Sequence, residues 1–302
     1  MTCVISSHPV QIIDCGVTLP STYLKASEVR YGVGNNDKNY GVRPLKKTIQ
    51  KLTVTLGILL FPIVGTAADT GDLKIRFEYG GDVPKQGEVK VTADVAFCGK
   101  QGLVDESLIV DAETKGIKNV VVQLYTGRGG SKIDPVAPAK NEITLDNDSC
   151  RFEPHVVIAQ VGDTLKVVNS DSVGHNANLQ FFNNAAKNPM IPPNQDVKVE
   201  LTDSEPGIVE VRCNIHPWMK ALLLVLDHPF AAVSNEKGEI IIKGMPVGEH
   251  TFRVNHESAR IGDVSINGEE DKWSRSRFEF EIKPGMNDLG TVVIPADSFS
   301  GN

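Results

Sequence analysis

A strand, a short loop and a second strand follow one another in Ile208-Val-Glu-Val-Arg-Cys-Asn-Ile-His-Pro-Trp-Met-Lys-Ala-Leu-Leu-Leu-Val-Leu226. Residues Ile208 to Val211 alternate apolar and polar side chains, which predicts a strand with one buried face. Residues Ala221 to Leu226 are apolar throughout, which predicts a strand that is covered on both faces. The loop between these strands carries the residues with the most distinctive chemistry in the chain.

That loop places a thiol, an imidazole and a thioether three residues apart, at Cys213, His216 and Met219. A tight loop between two strands aims such side chains at one point without a helix. Soft sulfur and imidazole donors suit copper in both oxidation states, whereas hard cations such as Mg²⁺ reject them. Zinc is the other metal that Cys and His suit, although structural zinc sites seldom use Met.

A second imidazole must come from elsewhere, and His175 is the candidate. Residues Asp163 to Asn169 predict a strand, and a short turn leads from it to His175 and Asn176. Two His, one Cys and a weak axial Met form the ligand set of blue-copper electron-transfer sites. The role of His155 is left open between a fourth strong ligand and a buried structural histidine. The structural role is preferred because its place in a strand puts it away from the loop end.

After residue 70 the chain is a succession of short strands without a long helical period. Residues Leu73 to Tyr79 and Phe278 to Ile282 alternate, whereas Val120 to Val122 is continuously apolar. Glycine and proline pairs separate the segments, which predicts an all-β fold built from sandwiches. Residues Glu239 to Val254 predict a hairpin, with two strands on either side of a Gly/Pro turn.

The chain is predicted to have four parts. Residues 1–68 form a leader and signal peptide, 69–140 an N-terminal β region, 141–228 the metal-binding domain and 229–302 a small appended β domain. The two flanking β regions either fold separately or pack as extra layers on one sandwich, and the sequence leaves both arrangements open.

Residues 46–68 have the pattern of a signal peptide. Three lysines precede the apolar run 52–65, and small residues follow at 66–68. The run is too short for an ordinary spanning helix. We therefore expect an exported protein, periplasmic or otherwise extracytoplasmic, with membrane association if the segment stays uncleaved. Because residues 1–43 precede the signal, translation is expected to start downstream of Met1, or the leader is processed with the signal.

Removal of residues 1–68 leaves three cysteines, Cys98, Cys150 and Cys213. An odd number of cysteines in an exported protein requires an explanation. The simplest hypothesis is a disulfide between Cys98 and Cys150, formed in an oxidising compartment, with Cys213 held by a metal.

The succession of a strand, His175-Asn176, a further stretch and Cys-x-x-His-x-x-Met resembles the cupredoxins, with a short loop like that of the amicyanin, pseudoazurin and plastocyanin-like proteins. Residues Phe152 to Asn169 are similar to the family's opening strands, and the resemblance covers residues 142–227. It implies a Greek-key sandwich and one type 1 copper ion, with His175, Cys213, His216 and Met219 as ligands. It also implies that Asn176 hydrogen-bonds across to the Cys-bearing loop. Residues 229–302 more weakly resemble carboxypeptidase-regulatory-like or transthyretin-like β modules.

The net charge of −7 and the pI of 5.6 argue against a nucleic-acid-binding protein. No Ser/His/Asp constellation, phosphate-binding loop or carboxylate pair indicates catalysis, so we do not expect an enzyme. The resemblance implies a one-electron carrier that serves an unidentified redox protein partner, with Met219 tuning the potential and His216 as the electron port. The alternative is a non-catalytic copper-storage or cell-surface binding module. A third interpretation is an altered copper site, with His155 or water as a ligand, that does redox chemistry on a small molecule.

Overall fold

A computed structural model describes residues 69–299, so the predicted leader and signal peptide lie outside the described residues. The described part is built almost entirely of strands, which confirms the all-β prediction. It contains one short α-helix, α1 (Val95–Cys98), and two 3-10 helices, Ser274–Ser276 and Ala296–Phe299. The strands are β1 (Thr70–Gly80), β2 (Val121–Leu124), β3 (Glu142–Asp148), β4 (Arg151–Glu153), β5 (Val156–Gln160), β6 (Thr164–Asn169), β7 (His175–Asn176), β8 (Asn178–Leu179), β9 (Met190–Ile191), β10 (Asp196–Glu200), β11 (Val209–Arg212), β12 (Lys220–Leu226), β13 (Ala231–Val233), β14 (Glu239–Pro246), β15 (Gly248–Asn255), β16 (Asp263–Ile266), β17 (Glu269–Lys272), β18 (Arg277–Ile282) and β19 (Gly285–Pro295).

Two sheets combine strands from both ends of the described chain, and we call them the flanking sandwich. One sheet has the order β14-β1-β19-β16-β17 and the other β13-β2-β15-β18. Their inner faces share one core that includes Phe77, Phe252 and Trp273. The regions 69–140 and 229–302 therefore contribute strands to the same sheets. The predicted division of the chain at residues 140 and 228 stays a prediction.

Strand β1 shows why the sequence pattern produces this sandwich. Leu73, Ile75, Phe77 and Tyr79 are buried, and the polar residues between them are only half-buried. Side chains alternate across a strand, so a period of two sends every apolar residue to the core. Strand β1 pairs antiparallel with β14 and parallel with β19.

A second pair of sheets, which we call the central sandwich, holds the predicted metal loop between β11 and β12, whereas His175 lies beside it in a separate two-stranded sheet, β7-β9. The sheets of the central sandwich have the orders β10-β6-β3-β4 and β5-β12-β11-β8. Between them lies a core that includes Phe152, Leu165, Leu223 and the side chains of Cys213 and Met219. The strand predicted from residue 163 to 169 is β6, and those predicted around the metal loop are β11 and β12.

Strand β12 is buried on both faces, as its unbroken apolar sequence predicts. One face contributes Leu223 and Val225 to the core of the central sandwich. The other face packs Leu222, Leu224 and Leu226 against a small cluster with Val121 of the flanking sandwich. The loop that precedes β12 is therefore held between two packed layers.

The predicted hairpin over Glu239 to Val254 is wrong. Strand β14 pairs with β1, whereas β15 pairs with β2 and β18 in the opposite sheet. A single residue, Val247, separates the two strands, and hairpin loops need at least two residues. The chain instead crosses from one sheet to the other, and Ile240, Ile242 and Phe252 meet in the core between them.

Within residues 69–299, none of the helices has the length and hydropathy needed to cross a membrane. The expected membrane association depends on residues before this range and stays a prediction.

Candidate metal centre

The metal loop connects two paired strands. Strands β11 and β12 are antiparallel, and Arg212 lies opposite Lys220 at the point where the loop begins and ends. The Cys213 amide donates to the Met219 carbonyl at 3.2 Å, and the Met219 amide donates to the His216 carbonyl at 2.9 Å. These two backbone hydrogen bonds close the loop, so the positions of Cys213, His216 and Met219 depend on one another.

The structure brings three of the four predicted ligands together. The Cys213 sulfur lies 3.6 Å from Nδ1 of His216 and 4.0 Å from Nδ1 of His175. All three donor atoms lie within 4.8 Å of one another, and in residues 69–299 this is the one cluster of His, Cys, Asp or Glu that could hold a metal ion. Met219 is buried in the same core, with 1% of its surface exposed.

The spacing of these atoms fits a metal ion. With metal–sulfur distances of about 2.3 Å and metal–nitrogen distances of about 2.0 Å, sulfur and nitrogen lie roughly 3.5–3.8 Å apart at trigonal to tetrahedral angles. The His216 distance falls in this range, and the His175 distance is slightly longer. A set of two imidazoles and one thiolate suits copper or zinc and excludes hard cations.

His175 is oriented by a buried carboxylate. Its Nε2 lies 2.8 Å from Oδ2 of Asp171, and that carboxylate also accepts the backbone amides of Ser149 and Cys150 at 2.7 and 2.9 Å. The side chain of Asp171 is 2% exposed. Nε2 therefore donates its proton to Asp171, and Nδ1 faces Cys213, where it can bind a metal once its own proton is displaced.

His216 has the same arrangement with a different carboxylate. Its Nε2 lies 2.9 Å from Oδ2 of Asp94, a residue from the segment that precedes α1. The imidazole is completely buried, whereas 43% of the Asp94 side chain is exposed. Both histidines thus present Nδ1 to the same sulfur and donate Nε2–H to a carboxylate.

The cluster favours a thiolate. Burial raises the pKa of the Cys213 thiol, but hydrogen bonds from His175 and His216 lower it more strongly, to about 5. Burial lowers the pKa of His175, but the hydrogen bond to Asp171 and the nearby Cys213 sulfur raise it to about 8. The thiolate is the form that binds metals, and metal binding at neutral pH must displace the proton of His175.

Asn176 bridges the strand that carries His175 and the metal loop. Its Oδ1 accepts the Asn214 amide at 2.8 Å and lies 3.5 Å from the Cys213 sulfur. Its amide group donates to Asn188 at 2.5 Å. Asn176 therefore contacts the start of the metal loop, at Cys213 and Asn214. This is the kind of contact that the sequence resemblance implies.

A disulfide lies beside the centre. Cys98 and Cys150 are joined although they are 52 positions apart in sequence, and Cys213 is a free, buried cysteine. The Cys150 carbonyl accepts the Trp218 indole N–H at 3.0 Å, and the ring of Trp218 lies 5.1 Å from that of His216. The disulfide therefore connects α1 to the segment against which the metal loop packs.

His155 is not part of the cluster. It is buried, and its Nε2 lies 2.6 Å from the carboxylate of Glu257, which also pairs with Lys220. Trp218 and Met219 border a cavity of about 910 Å³ whose wall also includes His155. His155 therefore has a structural partner in the flanking sandwich.

The sequence pattern did not identify Asp94 or Asp171 as partners of the candidate ligands. Asp171 stands four residues before His175, and such a carboxylate close to a predicted ligand was a usable signal. Asp94 lies 122 positions from His216, so only the folded chain brings the two together.

Neither a known family profile nor a curated protein matches the sequence. Among solved structures, the Cu(I) form of an amicyanin variant is 24% identical over 28% of this chain and 81% of its own, with a TM-score of 0.26. The oxidised form of another amicyanin variant is 25% identical over the same shares, with a TM-score of 0.26. A copper-containing nitrite reductase from Thermus scotoductus SA-01 is 22% identical over 34% of this chain and 25% of the reductase, with a TM-score of 0.26. Because these TM-scores are low, this chain's own strand pairing and side-chain geometry define its candidate site.

Proposed function

We propose that this chain is an exported copper protein that carries single electrons, with His175, Cys213, His216 and Met219 as the ligands of one type 1 copper ion. The observation that carries the proposal is the convergence of both Nδ1 atoms on one buried sulfur, within 4.8 Å. A copper ion bound there would supply reversible one-electron chemistry. The side chains of this chain supply the soft donors and a fixed geometry for them.

The rigidity of the ligand set supports a carrier. The ligand side chains are at most 2% exposed, and each imidazole is fixed by a carboxylate. Ligands held in this way move little when a bound ion changes its charge, which favours fast electron exchange. A storage site must instead release its metal, and burial of every ligand opposes release.

Export is supported by the disulfide between Cys98 and Cys150, because such bonds persist in oxidising compartments. It is consistent with the signal-like sequence of residues 46–68. The redox partner is proposed to be another protein of the same compartment.

The test is the visible absorption spectrum of the full chain titrated with Cu(II). We expect an intense thiolate-to-copper band at one equivalent, absent from Cys213→Ser. The matched control is His250→Gln, which changes a buried histidine of the flanking sandwich whose Nε2 lies 2.8 Å from the Pro246 carbonyl, and it should keep the band.

Cyclic voltammetry then distinguishes an electron carrier from a copper-storage protein. A reversible one-electron wave supports the carrier, whereas rapid loss of copper to a chelator without such a wave favours storage. Binding of Zn²⁺ with no thiolate-to-copper band would reject the proposed function.

A further inference from the structure

A partly exposed carboxylate contacts the buried His216 ring of the candidate metal centre. The His216 imidazole is 0% exposed, and its Nε2 lies 2.9 Å from Oδ2 of Asp94. Asp94 itself is 43% exposed. The carboxylate therefore stands between the ring edge and the solvent, at the place where the sequence predicts an electron port.

Asp94 is held in this position by its own backbone. Its carbonyl accepts the amides of Phe97 and Cys98, both at 2.9 Å, which form the turn of α1. The residue has φ 45° and ψ 39°, a left-handed conformation that Asp adopts more readily than most residues. The turn thus fixes the Asp94 backbone, from which the side chain reaches His216.

A covalent bond fixes the segment Asp94–Cys98 to the metal loop's surroundings. Cys98 is joined to Cys150, whose carbonyl accepts the indole N–H of Trp218. Trp218 is two residues from His216, and their rings are neighbours. The segment is therefore attached to the loop at two points, through the Asp94 carboxylate and through the disulfide.

The chemistry of the contact is that of a ligand-orienting carboxylate. Nδ1 of His216 faces the Cys213 sulfur, and Nε2 on the other side of the ring donates a hydrogen bond to the Asp94 carboxylate. An anionic acceptor fixes the tautomer and the ring plane and increases the basicity of the opposite nitrogen. Asp171 does the same for His175, but it is 2% exposed and so does not control access from solvent.

We propose that Asp94 is the positioning residue of His216, and that the segment Asp94–Cys98 covers the ring edge and sets how closely and with what charge an electron-exchange partner approaches. The inference rests on the proposed function for its redox consequences. Its structural part, the hydrogen bond and the cover, is independent of any bound metal.

The structural part is tested by NMR on the metal-free full chain with ¹⁵N-labelled histidine. In the wild type, the Nε2–H signal of His216 should exchange slowly with water. Asp94→Asn keeps an acceptor oxygen and should keep a protected signal, whereas Asp94→Ala should lose the protection. The control Glu113→Ala removes an exposed acid of the flanking sandwich and should leave the signal unchanged. Equal protection in wild type and Asp94→Ala would overturn the proposal.

The redox part is tested on the Cu(I)-loaded protein with two oxidants of opposite charge, hexacyanoferrate(III) and tris(phenanthroline)cobalt(III). In each reaction one electron leaves Cu(I), giving Cu(II), and reduces Fe(III) or Co(III) to the divalent state without proton transfer. Asp94→Ala should react about tenfold faster with the anionic oxidant, at the low end of what local charge does to association rates. Asp94→Ala should also react faster with the cationic oxidant, because the Asp94 side chain no longer separates that oxidant from the His216 ring.

Asp94→Asn separates charge from cover. This variant should be oxidised faster by the anionic oxidant and more slowly by the cationic one. It should also have a higher copper reduction potential, because His216 loses an anionic hydrogen-bond acceptor. Rates and potential equal to those of Glu113→Ala in both Asp94 variants would overturn the proposal. A failure to bind copper in every variant would reject the proposed function. The NMR result on the metal-free chain would still test the hydrogen bond between Asp94 and His216.

Discussion

His155 Nε2 lies 2.6 Å from the Glu257 carboxylate, and this contact joins the central sandwich to the flanking sandwich across 102 positions of sequence. Lys220, at the start of β12, pairs with the same carboxylate. Both side chains of the His155–Glu257 pair are 8% exposed. Through Lys220, the end of the metal loop is therefore tied to Glu257, which follows β15 of the flanking sandwich.

Replacement of Glu257 by Gln should make stability less dependent on pH. Burial raises the pKa of Glu257, but the hydrogen bonds from His155 and Lys220 outweigh this effect and lower the pKa to about 2. A depressed carboxyl pKa stabilises the fold above its unfolded value of 4.5, and this stability is lost as the pH falls from 4.5 towards 2. At pH 7 the loss in Glu257→Gln should be on the order of 3 kcal/mol.

The measurement is urea unfolding of wild type and Glu257→Gln between pH 7 and pH 2.5. The difference in unfolding free energy should shrink as the pH falls through this window. A difference that is the same at pH 7 and pH 3 would contradict the assigned pKa shift.

Asp171→Asn should weaken metal binding without removing a ligand. The variant replaces the anionic acceptor of His175 Nε2–H by a neutral amide and disturbs the two backbone amides that Asp171 accepts. Loss of such an orienting partner costs about 10–100-fold in metal affinity. Competition titration with a chelator measures the change, and Asp196→Asn, an exposed acid on β10, is the matched control. Equal affinity in Asp171→Asn and Asp196→Asn would show that the carboxylate does not support the ligand.

Removal of the disulfide with Cys98→Ala/Cys150→Ala should destabilise the protein by about 4 kcal/mol, because the bond closes a long loop in the unfolded chain. Its sequence separation is 52 residues. The measurement is denaturant unfolding with and without dithiothreitol. Wild type should lose stability on reduction, whereas the double variant should not respond to the reductant. If the unfolding free energy of the wild type is the same with and without dithiothreitol, the result would argue against the Cys98–Cys150 disulfide.

Asn176→Ala should loosen the Cys-bearing loop. The Asn214 amide would lose the acceptor that it reaches at 2.8 Å, and because Asn214 is exposed the loss of this hydrogen bond should cost about 0.5–1.5 kcal/mol. Hydrogen exchange of the metal-free protein should show a faster-exchanging Asn214 amide. Asn176→Asp keeps an acceptor oxygen and should restore much of the protection. If Ala and Asp behave alike, the contact does not hold the loop.

Local sequence was sufficient to predict several strands, among them β1, β6, β11 and β12, and the candidate ligands that lie close together in sequence. Alternation in β1 and the apolar run in β12 report directly on which faces are buried, because side chains alternate along a strand. Cys213, His216 and Met219 share one loop of seven residues, so their proximity needs no long-range information. His175 could be proposed because its chemistry completes a known ligand set.

Contacts between distant segments were decided by the tertiary structure alone. The parallel pairing of β1 with β19 merges the two ends of the described chain in one sheet, and the crossing between β14 and β15 replaces the predicted hairpin. The approach of Asp94 to His216 belongs to the same class. A strand's pattern states which face it buries but not which strand it pairs with. Strand partners depend on the burial of both sandwiches together, and the contact between the Asp94 carboxylate and His216 depends on the same long-range packing.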